Sequence, residues 1–170
     1  MGRIPLITTG DGLDANARSA FDRIVQSRGD ITRPFQVLLH TPAMARVVAE
    51  LGHIIHFDSH LADADRELVT LAVGRALGCP FVWESHLAAG VAAGVSPDAI
   101  AALEGDHTGL GERETILVAF VDELCETNAV SNATFRAVHE LLDTALTVEL
   151  ALTVGYYTML GRVMGACQAC

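Results

Sequence analysis

Lysine is absent from this chain. All eleven basic residues are arginines, set against 21 acids, for a formal net charge of −10. Without lysine there is no Schiff-base nucleophile. The arginines are dispersed, so no basic face is expected that could displace the counterions of a nucleic acid. The acidity reads as a solubility device. Long apolar runs are missing too: none reaches the roughly 18 residues of a membrane-spanning helix. The opening residues, MGRIPLITTGDG, hold no signal-peptide core, and position 6, where N-myristoylation expects Ser or Thr, is Leu6. A cytoplasmic location is the expectation. Period-2 alternation and low-complexity linkers are also lacking, which points to one helical domain over residues 1–170.

What is present is apolar residues in quantity. Hydrophobic side chains make up 51% of the chain and charged ones only 19%. Either the core is large or part of the surface is covered in an oligomer. Helical periodicity predicts helices near 14–28, 42–57, 63–77, 80–93, 112–127, 132–142 and 144–165, with short ones after Pro34 and Pro97. Phe21, Ile24 and Val25 are expected inward on the first. On the 42–57 helix the inward set is Met44, Val47, Val48, Leu51, Ile54 and Ile55. Gly29, Gly78 and Gly94 read as helix stops, and Ser96, Ser131 and Asp143 as N-caps. The fold class is all-α, a compact bundle of about seven or eight helices.

One stretch carries most of the chemistry: Arg66-Glu67-Leu68 followed by Gly78-Cys79-Pro80-Phe81-Val82-Trp83-Glu84-Ser85-His86. Cys79 falls at a helix N-terminus, where the dipole favours a thiolate, or else it is a small apolar residue in a helix corner. His86 lies two turns further on the same side, too far for a direct hydrogen bond to Cys79. It is a candidate acid/base or a hydrogen-bonded core histidine. Glu67 would approach His86 if Gly78 turns the chain into an antiparallel hairpin; otherwise it is a solvated first-turn acid. Position 82, where a local redox dithiol would carry its second cysteine, is Val82.

The pattern R-E-L-x-x-L-x-V-x-x-x-x-G-C-x-x-x-W-x-x-H resembles the carboxymuconolactone decarboxylase family, which includes the alkylhydroperoxidase D-like proteins. Its surroundings agree: Leu39-His40-Thr41-Pro42-Ala43-Met44 before it, Ala92-Ala93-Gly94-Val95-Ser96 after it, Glu112-Arg113-Glu114, and Val154-Gly155-Tyr156-Tyr157-Thr158-Met159-Leu160. The resemblance spans roughly residues 35–165. It implies an alkylhydroperoxidase D-like bundle that assembles as a homo-trimer or homo-hexamer. In the peroxidase branch the motif is E-x11-C-x-x-C-x-x-x-H, and Glu67, Cys79 and His86 match its Glu, first Cys and His. Val82 replaces the attacking cysteine, and Phe81 stands where an extra histidine is common. The resemblance therefore implies a decarboxylase-type carboxy-lyase that needs no cofactor and acts on a small, anionic, lactone-like or cyclic acid. His86 would be the general acid/base and Glu67 its partner, with Cys79, Val82, Trp83 and Arg75 as pocket or accessory residues. Arg75 and Arg46 are candidates for holding a substrate carboxylate, with surface arginine as the alternative. Two other functions stay open: a thiol peroxidase or reductase using Cys79 with a distant cysteine, and a non-catalytic binding or assembly subunit.

Lesser candidates complete the reading. Cys167-Gln168-Ala169-Cys170 is a C-x-x-C in a tail expected to fray; it would matter if it reached Cys79. His53, His56 and His60 fall close to one helical face, as a metal site or, more simply, a polar rim. His40 is placed to edge a pocket. Tyr156, Tyr157 and Met159 are expected to pack in the core or at a subunit contact. No metal or cofactor is expected.

Overall fold

Caps written into the sequence set many of the helix ends. In the computed structural model, which describes residues 2–169, Asp14 accepts from the amides of Asn16 and Ala17, Ser96 from Ala99, Ser131 from Thr134, and Asp143 from Leu146. Gly29 and Gly94 close helices in the left-handed region, at φ 81° and 98°. The described residues form nine α-helices and no strand. They are α1 (Ala15–Arg28), α2 (Arg33–Leu38), α3 (Pro42–His53), α4 (Asp63–Ala76), α5 (Pro80–Ala93), α6 (Pro97–Glu104), α7 (Glu112–Thr127), α8 (Asn132–Leu141) and α9 (Thr144–Cys167). The all-α expectation of a bundle of about seven or eight helices holds: the nine are the seven longer helices and the two short ones after Pro34 and Pro97 that the periodicity marks. No described helix is long and apolar enough to cross a membrane. The chain divides into two compact units, residues 2–59 with 163–169, and residues 60–162.

The first unit is built on α1, α2 and α3. Its core holds Ala20, Ile24, Ile31, Phe35, Leu39, Ala45 and Ala49, with Phe21, Val25 and Val48 partly buried against it. The expected inward face of α3 is corrected. Met44, Val47 and Ile54 are exposed, whereas Ala45, Ala49 and Gly52 are buried. Small residues at i, i+4 and i+7 let helices approach closely, so they take the contact and the large apolar side chains turn outward. The helix also stops earlier than its periodicity suggests. Ile54–Asp58 is a π-helical turn, which breaks the 3.6-residue register and buries Ile55 but not Ile54.

The second unit is organised around α4. Ten consecutive residues of that helix, Asp65 to Gly74, are buried. A helix covered on all sides is a core helix; here α5, α6 and α7 pack against it. Gly78, at φ 57°, turns the chain, and α4 and α5 then run as the expected hairpin. Two glycines set the closeness of that pair. A Cβ on Gly74 would stand 3.0 Å from the Trp83 amide nitrogen and 3.1 Å from Val82 Cγ1, and one on Gly90 would stand 3.0 Å from Leu71 Cδ1. Arg113 of α7 grips Asp65 of α4 with two nitrogens, at 3.0 and 2.6 Å. Hydrogen bonding to that carboxylate pushes the Arg113 pKa up. Leu68, Val69, Leu71, Ala72 and Val73 take part of the apolar content into this core, while other large apolar side chains, such as Val148 and Leu152, stay exposed.

Candidate functional site

The buried side of α5 carries Cys79, Val82, His86 and Gly90, spaced three to four residues apart. This puts His86 against α4, where Glu67 occupies the middle of the buried run. His86 Nδ1 lies 2.9 Å from Glu67 Oε2, and the two side chains are 12% and 3% exposed. A carboxylate only accepts, so Nδ1 carries the proton and donates it to Glu67. The solvated alternative for Glu67 is thereby corrected. The acid is buried because α4 is covered on the side it occupies, and a buried carboxylate needs partners.

Two further side chains complete the surroundings. Arg66 Nη2 stands 3.6 Å from Glu67 Oε1, an ion pair too long to be a hydrogen bond. Arg66 Nη1 donates to Asp63 at 2.8 Å, while its Nε is buried without a hydrogen-bond partner. Tyr157 of α9 meets the His86 ring edge-on, at 4.9 Å between centroids and 84° between planes. Burial, helped by the nearby Tyr156 and Glu67, pushes the Tyr157 phenol far above its usual range, opposed by a hydrogen bond with Thr70. Thr70 in turn donates to the Arg66 carbonyl at 2.8 Å. Chemically, this is an imidazole of fixed tautomer, backed by a carboxylate with a guanidinium nearby, beside a phenol that stays protonated. A carboxylate and an imidazole are also donor types that divalent cations take.

The expected pocket residues do not form one group with this pair. Cys79, Arg75, Trp83, Glu84 and Glu104 line a separate cleft of about 380 Å³, and neither Glu67 nor His86 is among its described lining residues. Val82 is buried against Gly74 and works as packing. Arg75 donates from Nε and Nη2 to the carbonyls of Leu103 and Glu104, at 3.1 and 3.0 Å. Its hydrogen bonds go to the C-terminal end of α6, where a cation is favoured by the helix dipole. Arg46, on α3 of the first unit, lines a cleft with Arg23, Glu50 and His53.

Sequence reasoning missed Arg66 and Tyr157 as neighbours of the pair. Arg66 had a signal, since it stands in the same motif immediately before Glu67. For Tyr157 only the adjacent tyrosines in an apolar helix hinted at it.

The cysteines divide. Cys125 and Cys167 are free thiols, both half-buried. Cys79 is disulfide-bonded and 2% exposed. Cys170, the second half of the C-x-x-C, lies outside the described residues. Burial pushes the Cys125 thiol up, with Thr158 3.8 Å from its sulfur. The other histidines have different neighbours. His53 and His56 lie against Phe57, and His60 sits 3.1 Å from the Glu149 carboxylate, which also accepts from its amide. His40 Nε2 meets the Pro5 carbonyl at 2.8 Å.

Comparison with known proteins bears on the family and the fold. Residues 42–111 match the carboxymuconolactone decarboxylase family. No curated protein matches the chain. Among solved structures, an alkylhydroperoxidase AhpD core, an uncharacterized peroxidase-related protein from Ralstonia eutropha JMP134, superposes with a TM-score of 0.79 at 18% identity, covering 99% of this chain and 91% of that one. A putative antioxidant defence protein AhpD from Agrobacterium tumefaciens gives 0.69 at 18% identity, covering 78% and 93%. The apo debrominase Bmp8 gives 0.74 at 16% identity, covering 92% and 86%. At such identities these likenesses show the fold, which is alkylhydroperoxidase D-like.

Proposed function

We propose that this chain, carboxymuconolactone decarboxylase-like in its central segment and alkylhydroperoxidase D-like in fold, is a cofactor-independent acid–base enzyme. Its substrate would be a small, anionic, lactone-like or cyclic acid. The observation that carries the proposal is the buried 2.9 Å hydrogen bond from His86 Nδ1 to Glu67. With Nδ1 committed to the carboxylate, Nε2 is the nitrogen that takes or returns a proton, and Glu67 steadies the imidazolium formed in between. In a decarboxylation, the electrons of the breaking C–C bond would pass into the conjugated carbonyl system as CO2 leaves. His86 would then return a proton to the product. Arg66 replaces Arg75 as the candidate holder of a substrate carboxylate, because it lies beside the pair with a donor still unpartnered. The neutral Tyr157 phenol adds an aromatic wall. We further place the protein in a homo-trimer or homo-hexamer, supported by the exposed Val148, Leu152 and Met159 on α9.

The test is CO2 release from a panel of lactone acids. Turnover should vanish in His86→Ala and fall by about 10²–10⁴ in Glu67→Gln. Unchanged turnover in His86→Ala would end the proposal.

A second reading has a specific observation behind it. The disulfide at Cys79 gives the chain a two-electron thiol couple despite Val82, which favours a thiol reductase or peroxidase working through Cys79 and a distant cysteine. Reversible reduction of that bond, coupled to turnover of a peroxide or disulfide and lost in Cys79→Ser, would support it.

A further inference from the structure

We infer that the cleft over Cys79 admits small thiols of neutral or positive charge, which open the Cys79 disulfide by exchange, and that it disfavours anionic ones. The inference rests on the thiol reading above and adds to it the class of reductant. Cys79 is almost fully buried, so access to its sulfur depends on the cleft it helps to line. A volume of about 380 Å³ suits a small molecule rather than the surface of another protein.

The charges around this cleft set the preference. Arg75 points two nitrogens at the carbonyls ending α6, so its positive charge sits against the negative end of that helix. Glu84 and Glu104 line the same cleft, and both are exposed. Two carboxylates against one engaged guanidinium leave the entrance acidic, on a chain whose formal net charge is −10. An approaching thiolate that carries a second negative group meets this field; one that carries an ammonium is drawn in.

The exchange balances as follows. The reagent thiolate attacks Cys79 Sγ, forming a mixed disulfide and releasing the partner cysteine as a thiolate, which takes up a proton. A second reagent thiolate attacks the reagent sulfur of the mixed disulfide and releases Cys79. In total two thiols become one disulfide, and the protein disulfide becomes two thiols. Cys79 is a good leaving group in the second step, because it occupies the N-cap of α5, where the helix dipole stabilises a thiolate. Val82 denies it a local partner, so the freed thiol is not recaptured one turn away.

Trp83, the single tryptophan of the chain, lines the cleft and reports on the sulfur chemistry beside it. The experiment mixes the oxidised full-length protein with cysteamine, 2-mercaptoethanol or 2-mercaptoethanesulfonate at low ionic strength. Trp83 emission is followed and the products are trapped for mass spectrometry, with rates expressed per thiolate and corrected for thiol basicity. Cysteamine should exceed the sulfonate by on the order of tenfold. The ratio should shrink towards unity in about 1 M salt, and it should also shrink in the Glu84→Gln/Glu104→Gln double variant. Equal rates for the three thiols, or a preference untouched by the double variant, would overturn the inference while leaving the thiol reading intact. Absence of any Cys79 disulfide on peptide mapping of the oxidised protein would instead remove that reading itself.

Discussion

A double-mutant cycle on Glu67 and His86 measures whether the buried pair is energetically real. Glu67→Leu keeps a similar volume but removes the acceptor of the His86 Nδ1–H and the carboxylate 3.6 Å from Arg66. Both partners are nearly buried, at 12% and 9% side-chain exposure, so neither regains full hydration. Breaking one side of a buried ionic group costs about 3–5 kcal/mol. His86→Leu leaves Glu67 with Arg66 close by, and should cost about 1.5–3 kcal/mol, the range for a hydrogen bond to a charged group. The double variant removes both ends of the bond, so its cost should fall short of the sum by at least about 1.5 kcal/mol. Urea unfolding of the four proteins, at constant m-value, gives the coupling. Additivity within about 0.5 kcal/mol would refute the argument, because two groups that truly share a proton in a dry site cannot be lost independently.

Other consequences can be measured on the same protein. Tyr157 has a folded pKa raised far above its unfolded value of about 10. Its contribution to stability is therefore fully present below about pH 10 and is lost as pH rises beyond that, since only the unfolded state then releases the proton. Tyr157→Phe should lose about 1 kcal/mol at neutral pH, from the Thr70 hydrogen bond, yet decline less steeply than the parent above about pH 10; parallel melting curves against pH would contradict this. Cys125, whose thiolate is disfavoured by burial, should alkylate several-fold more slowly at about pH 8 than in the urea-unfolded chain, and equal rates by mass spectrometry would count against its burial. Gly74→Ala would push a methyl to 3.0 Å from a backbone nitrogen, which cannot rotate away. It should cost about 1–3 kcal/mol, and an unchanged melting temperature would show that α4 and α5 are less tightly apposed than described.

Much of the helix layout was legible because it is a local matter. The caps Asp143, Ser96 and Ser131 and the stops Gly29, Gly78 and Gly94 act over three or four residues, and a single sequence displays them. Which face of a helix turns inward is a tertiary question. On α3 hydrophobicity alone favours Met44 and Val47, but the outcome depends on how close the neighbouring helix comes. Ala45, Ala49 and Gly52 decide that by being small. The π-helical turn at Ile54–Asp58 is similarly invisible, since nothing in the local residue types distinguishes a five-residue hydrogen-bond step from a four-residue one.

For the candidate site, spacing along one helix was informative and proximity between helices was not. Cys79 and His86 share the buried face of α5, and sequence spacing alone groups them. Two helical turns separate them by about 10 Å along the axis, and the packing uses that separation. At the middle of α5, His86 meets the interior of α4 and so meets Glu67, which has Arg66 beside it. At its N-terminus, Cys79 meets the chain turn at Gly78 and the cleft beside α6. Val82, buried against Gly74, fills the stretch between the two sulfur and nitrogen centres with hydrocarbon. A cysteine at position 82 would be one helical turn from both Cys79 and His86 and would link thiol to imidazole. A valine there separates them, so the acid–base pair and the disulfide can have independent chemistry on a single helix. Restoring the link by Val82→Cys should therefore bring a thiol within reach of His86. Peroxide consumption that appears in Val82→Cys and is lost again in Val82→Cys/His86→Ala would identify position 82 as the connection. An inert Val82→Cys protein with an intact fold would show that something besides the missing cysteine keeps the two centres apart.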